Sequence, residues 1–286
     1  MTKKKTAYLI TTSKAITPER LEIAKKLVKK LGYKVKYSQS ILDKYLFYAG
    51  TPKQRAEEIN TAYTDKETKY IFNVAGGMGA VHTLPLLDFD IMKNSKKIFV
   101  GYSDVTILLN AINQKTEARC LHGPNLGKPI ERFNKRTLEY LSKAINKEDY
   151  SIAISSEDVF REGVAEAQIV GGNLRLLVRS LGTNYEINTD NKIVFLEADS
   201  KTEDWVFDML WQLKLAGKLD NIQGIIFGYF TECGKDIKKY LEEFFKDFTC
   251  PIIFNQSIGH NEPNITIPIG ETCIIDTEKK EWKIRF

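Results

Sequence analysis

The stretch VGYSDVTILLNAI, residues 100–112, places a hydroxyl where it could act as a nucleophile. An apolar run typical of a buried strand ends at Gly101, and a helical pattern begins near Val105. Ser103 lies between them and is followed by Asp104. A serine on a sharp turn between strand and helix exposes its hydroxyl beside free helix N–H groups, which favour developing negative charge. The same serine could be a helix cap, and the two roles are compatible.

A serine nucleophile needs an imidazole as its base, and the chain has three histidines. His260 lies in SIGHNEPNITIPIG after the apolar strand PIIF, and a loop at the carboxyl end of a strand can reach a site at the sheet edge. His82 stands at the start of a predicted helix after GGMGAV, and His122 precedes Pro124 in a short turn. His260 is the favoured base, although its position also fits a histidine that is bonded only within its own loop.

The third member of such a triad is a carboxylate that accepts the second imidazole N–H. Glu197 ends the apolar strand KIVFLE, and open parallel sheets place functional groups at the carboxyl ends of their strands. Asp199 is a neighbouring alternative. An ordinary acid between a strand and a polar loop would give the same pattern at Glu197.

An oxyanion hole requires backbone N–H groups that point to one position. In AGGMGA, residues 75–80, the glycines can adopt positive φ and approach a ligand closely, and the segment follows the strand KYIFNV. The N–H of Asp104 would be the second donor. A phosphate-binding loop is the alternative, although the GK[ST] ending and the GxGxxG pattern are both absent. On these residues alone the chain could be a serine hydrolase or a non-catalytic protein that binds a small anion.

The elements that must position these residues alternate between strand and helix in the first half of the chain. Strands are predicted at AYLITT, YKVKYSQ, KYIFNV and KKIFVG, with helix-length segments between them, one of which runs from Pro18 to Gly32. This alternation predicts a parallel sheet with crossover helices. Helical periodicity is lost near residues 146–165. We therefore predict an N-terminal α/β domain over residues 1–148, a linker over 149–165 and a C-terminal domain over 166–286.

The second half combines further strands with two helices. KIVFLEAD, IQGIIFGYF and PIIFNQS predict strands, and ETCIIDTEKKEWKIRF predicts a hairpin around a charged turn. A helix is predicted in GGNLRLLVRSLGTN, with Leu174, Leu177, Val178 and Leu181 on one face and its end at Gly182. A second helix, EDWVFDMLWQLKLAG, ends at its glycine.

Composition narrows the classes of protein. Hydrophobic residues make up 43% and charged residues 28% of the chain, as in ordinary globular proteins. The net charge of +5 reflects lysines that we interpret as solvated faces, not as a nucleic-acid footprint. No stretch approaches the roughly 18 apolar residues of a membrane span, and AYLI is too short for the apolar core of a signal peptide. Four scattered cysteines without metal-ligand spacing indicate thiols in a reducing cytoplasm. We expect a cytoplasmic protein without a metal, nucleic-acid or membrane partner.

Four stretches together resemble the LD-carboxypeptidase family of serine peptidases, which includes murein tetrapeptide carboxypeptidases and the microcin C self-immunity peptidase. In that family's order and spacing, they are AGGMGAVHTLPLLDFD, VGYSDVTILLNAI, GGNLRLLVRSLGT with KIVFLEAD, and SIGHNEPNITIPIG. The GYSD element and the late GH element are the specific parts of the match. The resemblance covers nearly the whole chain.

The resemblance implies a triad in which Ser103 is the nucleophile, Glu197 the orienting acid and His260 the base. It also implies an oxyanion hole formed by the N–H groups of Gly77 and Asp104, with Gly76 as the adjacent candidate. The implied fold is a flavodoxin-like N-terminal parallel sheet with flanking helices and a smaller, β-rich C-terminal α/β domain. No cofactor or metal is implied, and homodimers are usual in the family.

The implied activity is hydrolysis of an amide bond next to a terminal amino acid, through an acyl-enzyme. The substrate would be a murein tetrapeptide or a microcin-like aminoacyl-nucleotide, and the GHNEP loop is closer to the immunity branch. Ala75 and Met78 replace the arginine and the aromatic residue that many members carry around the glycine pair, so residue 75 offers no guanidinium for a substrate carboxylate. A general amidase or esterase, and a non-catalytic α/β protein that binds small anions, are the alternatives.

Overall fold

A computed structural model describes residues 4–199 and 202–286 of the 286-residue chain. The chain divides into two compact units, Met1–Asn134 (unit 1) and Lys135–Phe286 (unit 2). Within the described residues, no helix combines the length and the apolar character that crossing a membrane requires.

Unit 1 is a parallel sheet with crossover helices, as predicted. Its strands are β1 (Thr6–Ile10), β2 (Lys34–Lys36), β3 (Thr68–Asn73), β4 (Ile98–Gly101) and β5 (Arg119–His122). Its α-helices are α1 (Pro18–Lys30), α2 (Pro52–Thr64) and α3 (Thr106–Thr116). These strands pair in parallel in the order β2-β1-β3-β4-β5, which is the flavodoxin-like order. The predicted flavodoxin-like fold is therefore confirmed.

Local sequence explains why the first helix forms where it does. The side chain of Thr17 accepts a hydrogen bond from the N–H of Arg20, and Pro18 occupies the first turn, where its missing N–H costs nothing. Four apolar residues one or two turns apart are buried on the inner face of α1: Leu21, Ala24, Leu27 and Val28. Gly32 follows the helix with φ +88°, which ends it as predicted.

The helix predicted after the glycine-rich segment is shorter and tighter than expected. Ala80–Leu86 is a 3₁₀ helix that contains Pro85 and His82. Proline has no N–H to donate and clashes with the preceding turn of an α-helix, so it prevents a regular α-helix here.

Unit 2 is built on an eight-stranded mixed sheet in the order β6-β14-β13-β8-β9-β10-β11-β7. The strands of this sheet are β6 (Tyr150–Ala153), β7 (Val159–Arg161), β8 (Val164–Asn173), β9 (Ile193–Asp199), β10 (Gly224–Thr231), β11 (Ile252–Ile253), β13 (Thr272–Asp276) and β14 (Glu281–Arg285). A further strand, β12 (Ile267–Ile269), precedes β13 in the sequence and does not belong to this sheet. The α-helices of unit 2 are α4 (Lys135–Asn146), α5 (Leu174–Ser180), α6 (Glu203–Leu215) and α7 (Ile237–Phe245). Strands β8 to β11 pair in parallel, and the β13–β14 hairpin, as predicted, continues the sheet in antiparallel pairing.

The segment that the sequence assigns to a linker is part of this sheet. Residues 149–165 contain β6, β7 and the start of β8, and β6 pairs with the last strand, with Ile152 opposite Trp282. Both of these side chains are buried. The two strands are separated by most of unit 2 in the sequence, so local periodicity does not reveal the pairing. With these residues and α4 included, unit 2 is the larger unit, not the smaller one expected.

Two further details of unit 2 differ from the sequence prediction. Helix α5 ends at Ser180, so Leu181 lies beyond it, and Val178 is only half-buried. Strand β9 matches the strand predicted at KIVFLEAD and continues to Asp199, so Glu197 lies within the strand and not at its end. The strand extends beyond Glu197 because Ala198 and Asp199 still pair with β10, and β9 is buried as far as Ala198.

Candidate active site

Ser103 lies on a tight turn between β4 and α3. Its φ is +67°, a left-handed conformation that costs a non-glycine residue about 1–2 kcal/mol. A one-turn 3₁₀ helix, Ser103–Val105, leads into α3, whose N-cap is Val105. Ser103 is therefore not the cap of this helix. The strained turn holds a half-buried hydroxyl at the carboxyl end of β4, which is the arrangement of a nucleophile elbow.

The glycine loop (residues 76–79) approaches this hydroxyl closely. A Cβ atom on Gly76 would lie 3.1 Å from Cβ and 3.2 Å from Oγ of Ser103. Gly77 and Gly79 have φ values of +134° and +112°, which favour glycine. The loop follows β3, the neighbour of β4 in the sheet. Any side chain at Gly76 would therefore crowd Ser103, and glycine lets the loop pass close to it.

Two buried asparagine side chains connect the glycine loop to the elbow. Nδ2 of Asn73 donates to the carbonyl of Ala75 (2.8 Å) and to Oδ1 of Asn125 (2.9 Å). Nδ2 of Asn125 donates to the carbonyl of Tyr102, the residue before Ser103 (3.3 Å). The relative position of the loop and the serine is therefore fixed by hydrogen bonds inside unit 1.

The carboxylate of Asp104 is a further connection, and its role was not evident from the sequence. The side chain is only 1% exposed, and its Oδ2 accepts hydrogen bonds from the Ser13 hydroxyl (2.7 Å) and from the N–H of Ala80 (2.8 Å). Asp104, which directly follows Ser103, thus joins the turn after β4 to the loop after β1 and to the end of the glycine loop.

In unit 2, the structure brings Glu197 and His260 together. Nδ1 of His260 lies 2.7 Å from Oε2 of Glu197. Glu197 is completely buried, and the histidine side chain retains 16% of its exposure. A buried carboxylate on Nδ1 selects the tautomer in which Nε2 can accept a proton. The pair has the geometry that an acid and a base of a triad require.

A glycine makes this pair possible. Gly259 has φ +108°, and a Cβ there would lie 2.7 Å from Oε2 of Glu197. The N–H of Gly259 donates to Oδ1 of Asn264 (3.0 Å), and the N–H of Asn264 donates to the hydroxyl of Thr137 (2.8 Å). The loop that carries His260 is therefore held by a hydrogen bond within the loop and by a second one to α4.

Asp199, the alternative acid, has a different position. Its Oδ1 lies 3.6 Å from Nε2 of His260, beyond hydrogen-bond distance, and accepts a hydrogen bond from Nδ2 of Asn173 (3.2 Å). Glu197, and not Asp199, therefore contacts Nδ1.

The other two histidines have different surroundings. His122 is fully buried at the end of β5, with its ring edge-on to Tyr102 at 6.0 Å. His82 is exposed on the 3₁₀ helix after the glycine loop and packs edge-on against Tyr48 at 5.4 Å. Within the described ranges, no group of three or more His, Cys, Asp or Glu side chains is arranged to hold a metal ion.

Comparisons with known proteins identify the family of the chain. Residues 8–123 match the LD-carboxypeptidase N-terminal domain, and residues 166–275 match the LD-carboxypeptidase C-terminal domain. A probable murein peptide carboxypeptidase of Bacillus subtilis (strain 168) is 32% identical, with 92% of this chain and 86% of the relative covered. A crystal structure of an MccF-like protein from Bacillus anthracis str. Ames is 27% identical, with a TM-score of 0.90 over 100% of this chain and 98% of that one.

A structure of MccF in complex with glutamyl sulfamoyl guanosine has a TM-score of 0.91 over 100% of this chain and 97% of its own. At 23% identity, this likeness concerns the fold. The two domain matches and the Bacillus subtilis relative show that this chain belongs to the LD-carboxypeptidase family and is a serine-type carboxypeptidase, a hydrolase.

Proposed function

We propose that this carboxypeptidase uses Ser103, His260 and Glu197 as its catalytic triad. The observation that carries the proposal is the 2.7 Å contact between Nδ1 of His260 and the fully buried carboxylate of Glu197. Such a carboxylate orients the imidazole and stabilises the imidazolium that forms during the reaction. The positive φ of Ser103 supports its role as the nucleophile, because an elbow conformation exposes the hydroxyl.

In the proposed mechanism, Nε2 of His260 takes the proton of Ser103 as Oγ attacks the carbonyl carbon of the amide. The resulting oxyanion accepts hydrogen bonds from the N–H groups of Asp104 and Gly77, with Gly76 as the adjacent alternative. The imidazolium then gives its proton to the leaving amine as the C–N bond breaks. Water, activated by the neutral imidazole, hydrolyses the acyl-enzyme and restores Ser103.

The substrate that we propose is a murein peptide that loses its terminal amino acid. The Bacillus subtilis relative, named as a probable murein peptide carboxypeptidase, supports this choice at 32% identity. Ala75 is fully buried and uncharged, so a terminal carboxylate would have to be recognised by other residues. An aminoacyl-nucleotide amide is the second candidate, and the likeness to the MccF-like protein of Bacillus anthracis supports it.

We further propose that the enzyme is a cytoplasmic homodimer. The family resemblance supports the dimer. The cytoplasmic location is supported by the free thiols of the four described cysteines, because thiols stay reduced in a reducing compartment. Light scattering on the purified protein tests the dimer, with a single mass of twice 32.7 kDa expected.

The test of the catalytic role is Ser103→Ala with two substrates, a murein tetrapeptide and an aminoacyl-sulfamoyl adenosine. Because triad members act as a unit, we expect turnover to fall by about 10⁴-fold or more. Labelling by a fluorophosphonate probe should also be lost. Ser142→Ala is the matched control, since Ser142 is exposed on α4 and should leave both readouts unchanged. Full activity in Ser103→Ala would refute the triad, and the faster wild-type substrate identifies the substrate class.

A further inference from the structure

A buried arginine in unit 1 has no part in the triad. Arg55, in the first turns of α2, is only 1% exposed. A capping box formed by Thr51 and Gln54 fixes the start of this helix. Burial lowers the pKa of the Arg55 guanidinium, while the charge of Asp104 acts in the opposite direction. Arginine is almost never buried this deeply without partners, so its contacts indicate what it does.

The guanidinium of Arg55 contacts the end of the glycine loop. Nη1 donates to the carbonyl of Gly50 (2.5 Å), and Nη2 donates to the carbonyl of Gly79 (3.2 Å). The cation also lies over the ring of Tyr48, 5.1 Å from its centroid. The same ring packs against Gly79, where a Cβ would lie 2.7 Å from it. Arg55 and Tyr48 together therefore support Gly79.

The peptide group between Gly79 and Ala80 is held by opposite charges at its two ends. Its carbonyl accepts from Arg55 (3.2 Å), and its N–H donates to the carboxylate of Asp104 (2.8 Å). A cation at the oxygen and an anion at the nitrogen both favour the same orientation of the peptide dipole, and hydrogen bonds to charged groups are the stronger kind. This peptide is thus fixed in one orientation.

We propose that Arg55 and Asp104 are positioning residues that set the oxyanion hole by fixing the Gly79–Ala80 peptide. Asp104 directly follows Ser103, so this clamp joins the two segments that supply the oxyanion donors, the elbow and the glycine loop. The inference rests on the proposed function, because it assigns importance to these donors. The new element is that Arg55, an arginine outside the catalytic motifs, controls the distance between the two oxyanion donors.

The predicted effect is on catalysis more than on substrate binding. In Arg55→Met, the peptide loses the partner of its carbonyl, and the loop can rotate its N–H groups away from the oxyanion. Loss of one oxyanion donor lowers kcat by about 10²-fold or more, so we expect about 10²-fold for Arg55→Met, with KM changed by less than about threefold. Arg55→Lys retains the charge without the planar fork and should recover part of kcat.

A double-mutant cycle with Asp104→Asn tests whether the two residues act through one peptide. If they do, the Arg55→Met/Asp104→Asn enzyme should lose much less kcat than the product of the two single losses. Arg161→Met is the matched control, because Arg161 also donates to a backbone carbonyl, that of Lys246, but lies in unit 2 on β7. It should leave kcat unchanged.

Two results would overturn this inference. The first is an unchanged kcat in folded Arg55→Met, including the case in which only the melting temperature changes. The second is a double variant whose loss of kcat equals the product of the two single losses. If Arg55→Met does not fold, the same cycle with Arg55→Lys and Asp104→Asn applies the same criterion. The proposed function is tested independently, because it requires loss of activity in Ser103→Ala regardless of the result for the Arg55 variants.

Discussion

The two units hold the proposed catalytic residues by different physical means. In unit 1, backbone conformation positions the proposed nucleophile, since Ser103 has φ +67° and a Cβ on Gly76 of the glycine loop would lie 3.1–3.2 Å from its side chain. In unit 2, a side-chain pair is prepared, with Glu197 at 0% exposure and 2.7 Å from His260. Unit 1 should therefore be sensitive to changes in backbone geometry, and unit 2 to changes in the space around one carboxylate.

Each unit also contains a buried carboxylate, and their surroundings differ. Glu58 in unit 1 accepts hydrogen bonds from the hydroxyls of Ser38 and Ser40, and burial raises its pKa. Glu197 in unit 2 has an imidazole as its partner. A hydroxyl can donate to a carboxylate but cannot carry a compensating charge, whereas an imidazole can. The imidazole partner of Glu197 fits its proposed role as the orienting acid, whereas burial disfavours the charged form of Glu58.

Among the changes that test this comparison between the units, the largest effect is expected from Gly259→Ala. The new Cβ would lie 2.7 Å from Oε2 and 2.9 Å from Cβ of Glu197, so this fully buried side chain would have to shift. Displacement of the acid leaves the imidazole without its orienting partner, and loss of that partner in a serine-protease triad costs about 10⁴-fold in kcat. We expect kcat to fall by about 10³–10⁴-fold, measured on the preferred substrate.

Gly182→Ala is the matched control for this prediction. Gly182 also has a positive φ, +74°, but a Cβ added there would have nothing within 4 Å. It reproduces the backbone strain of an alanine without the contact to Glu197, and kcat should stay within about threefold of the wild type. Equal activity of the two variants would show that space around Glu197 is not critical.

A smaller effect is expected from Gly76→Ala in unit 1. Here the new methyl group would lie 3.1–3.2 Å from Ser103 and 3.4 Å from Nδ2 of Asn125, so its neighbours must shift by a few tenths of an ångström. Misplacement of a reacting group by about 1 Å can cost 10²-fold, so we expect a loss of about 10-fold to 10²-fold in kcat.

Gly32→Ala separates this effect from general strain in unit 1. Gly32 has φ +88° and open space around it, so alanine there should lower the melting temperature without a change in kcat. A Gly76→Ala enzyme with normal kcat would mean that the approach of the glycine loop to Ser103 is not needed for catalysis.

The elements and residues that short sequence patterns indicate could be predicted from the sequence. Apolar runs predicted β1 and β9, an apolar face with a glycine stop predicted α1, and strand–helix alternation predicted the parallel sheet of unit 1. Glu197 and His260 were proposed as partners from their motifs, and the structure brings them together. The roles of Ser103 and the oxyanion donors stay predictions until activity is measured.

What the sequence did not reveal depends on long-range contacts. The pairing of β6 with β14 joins residues at opposite ends of unit 2, so a segment with weak periodicity was interpreted as a linker. Arg55 lies in a charged helix, and a charge there usually faces solvent. Only its distant partner, the carbonyl of Gly79, distinguishes it. The carboxylate contacts of Asp104 are hidden in the sequence for the same reason.

The smallest effect is expected from Glu58→Gln, and it concerns stability. The folded-state pKa of Glu58 is raised above its value in the unfolded chain, so its contribution to stability is complete below about pH 4, the unfolded pKa, and is lost as pH rises through the folded pKa. Glutamine has no charge to bury. The variant should therefore be more stable than the wild type at pH 7, by on the order of 1 kcal/mol.

Urea unfolding at pH 4.5, 6 and 7.5 measures this difference, and the advantage of Glu58→Gln should grow as pH rises. Glu57→Gln is the control, because Glu57 is the preceding residue on α2 and is exposed, so its variant should show little dependence on pH. An advantage that shrinks with rising pH would mean that the hydroxyls of Ser38 and Ser40 stabilise the charge of Glu58 more than burial opposes it. The contrast between Glu58 and Glu197 would then fail, because burial would not make the charge of Glu58 unfavourable.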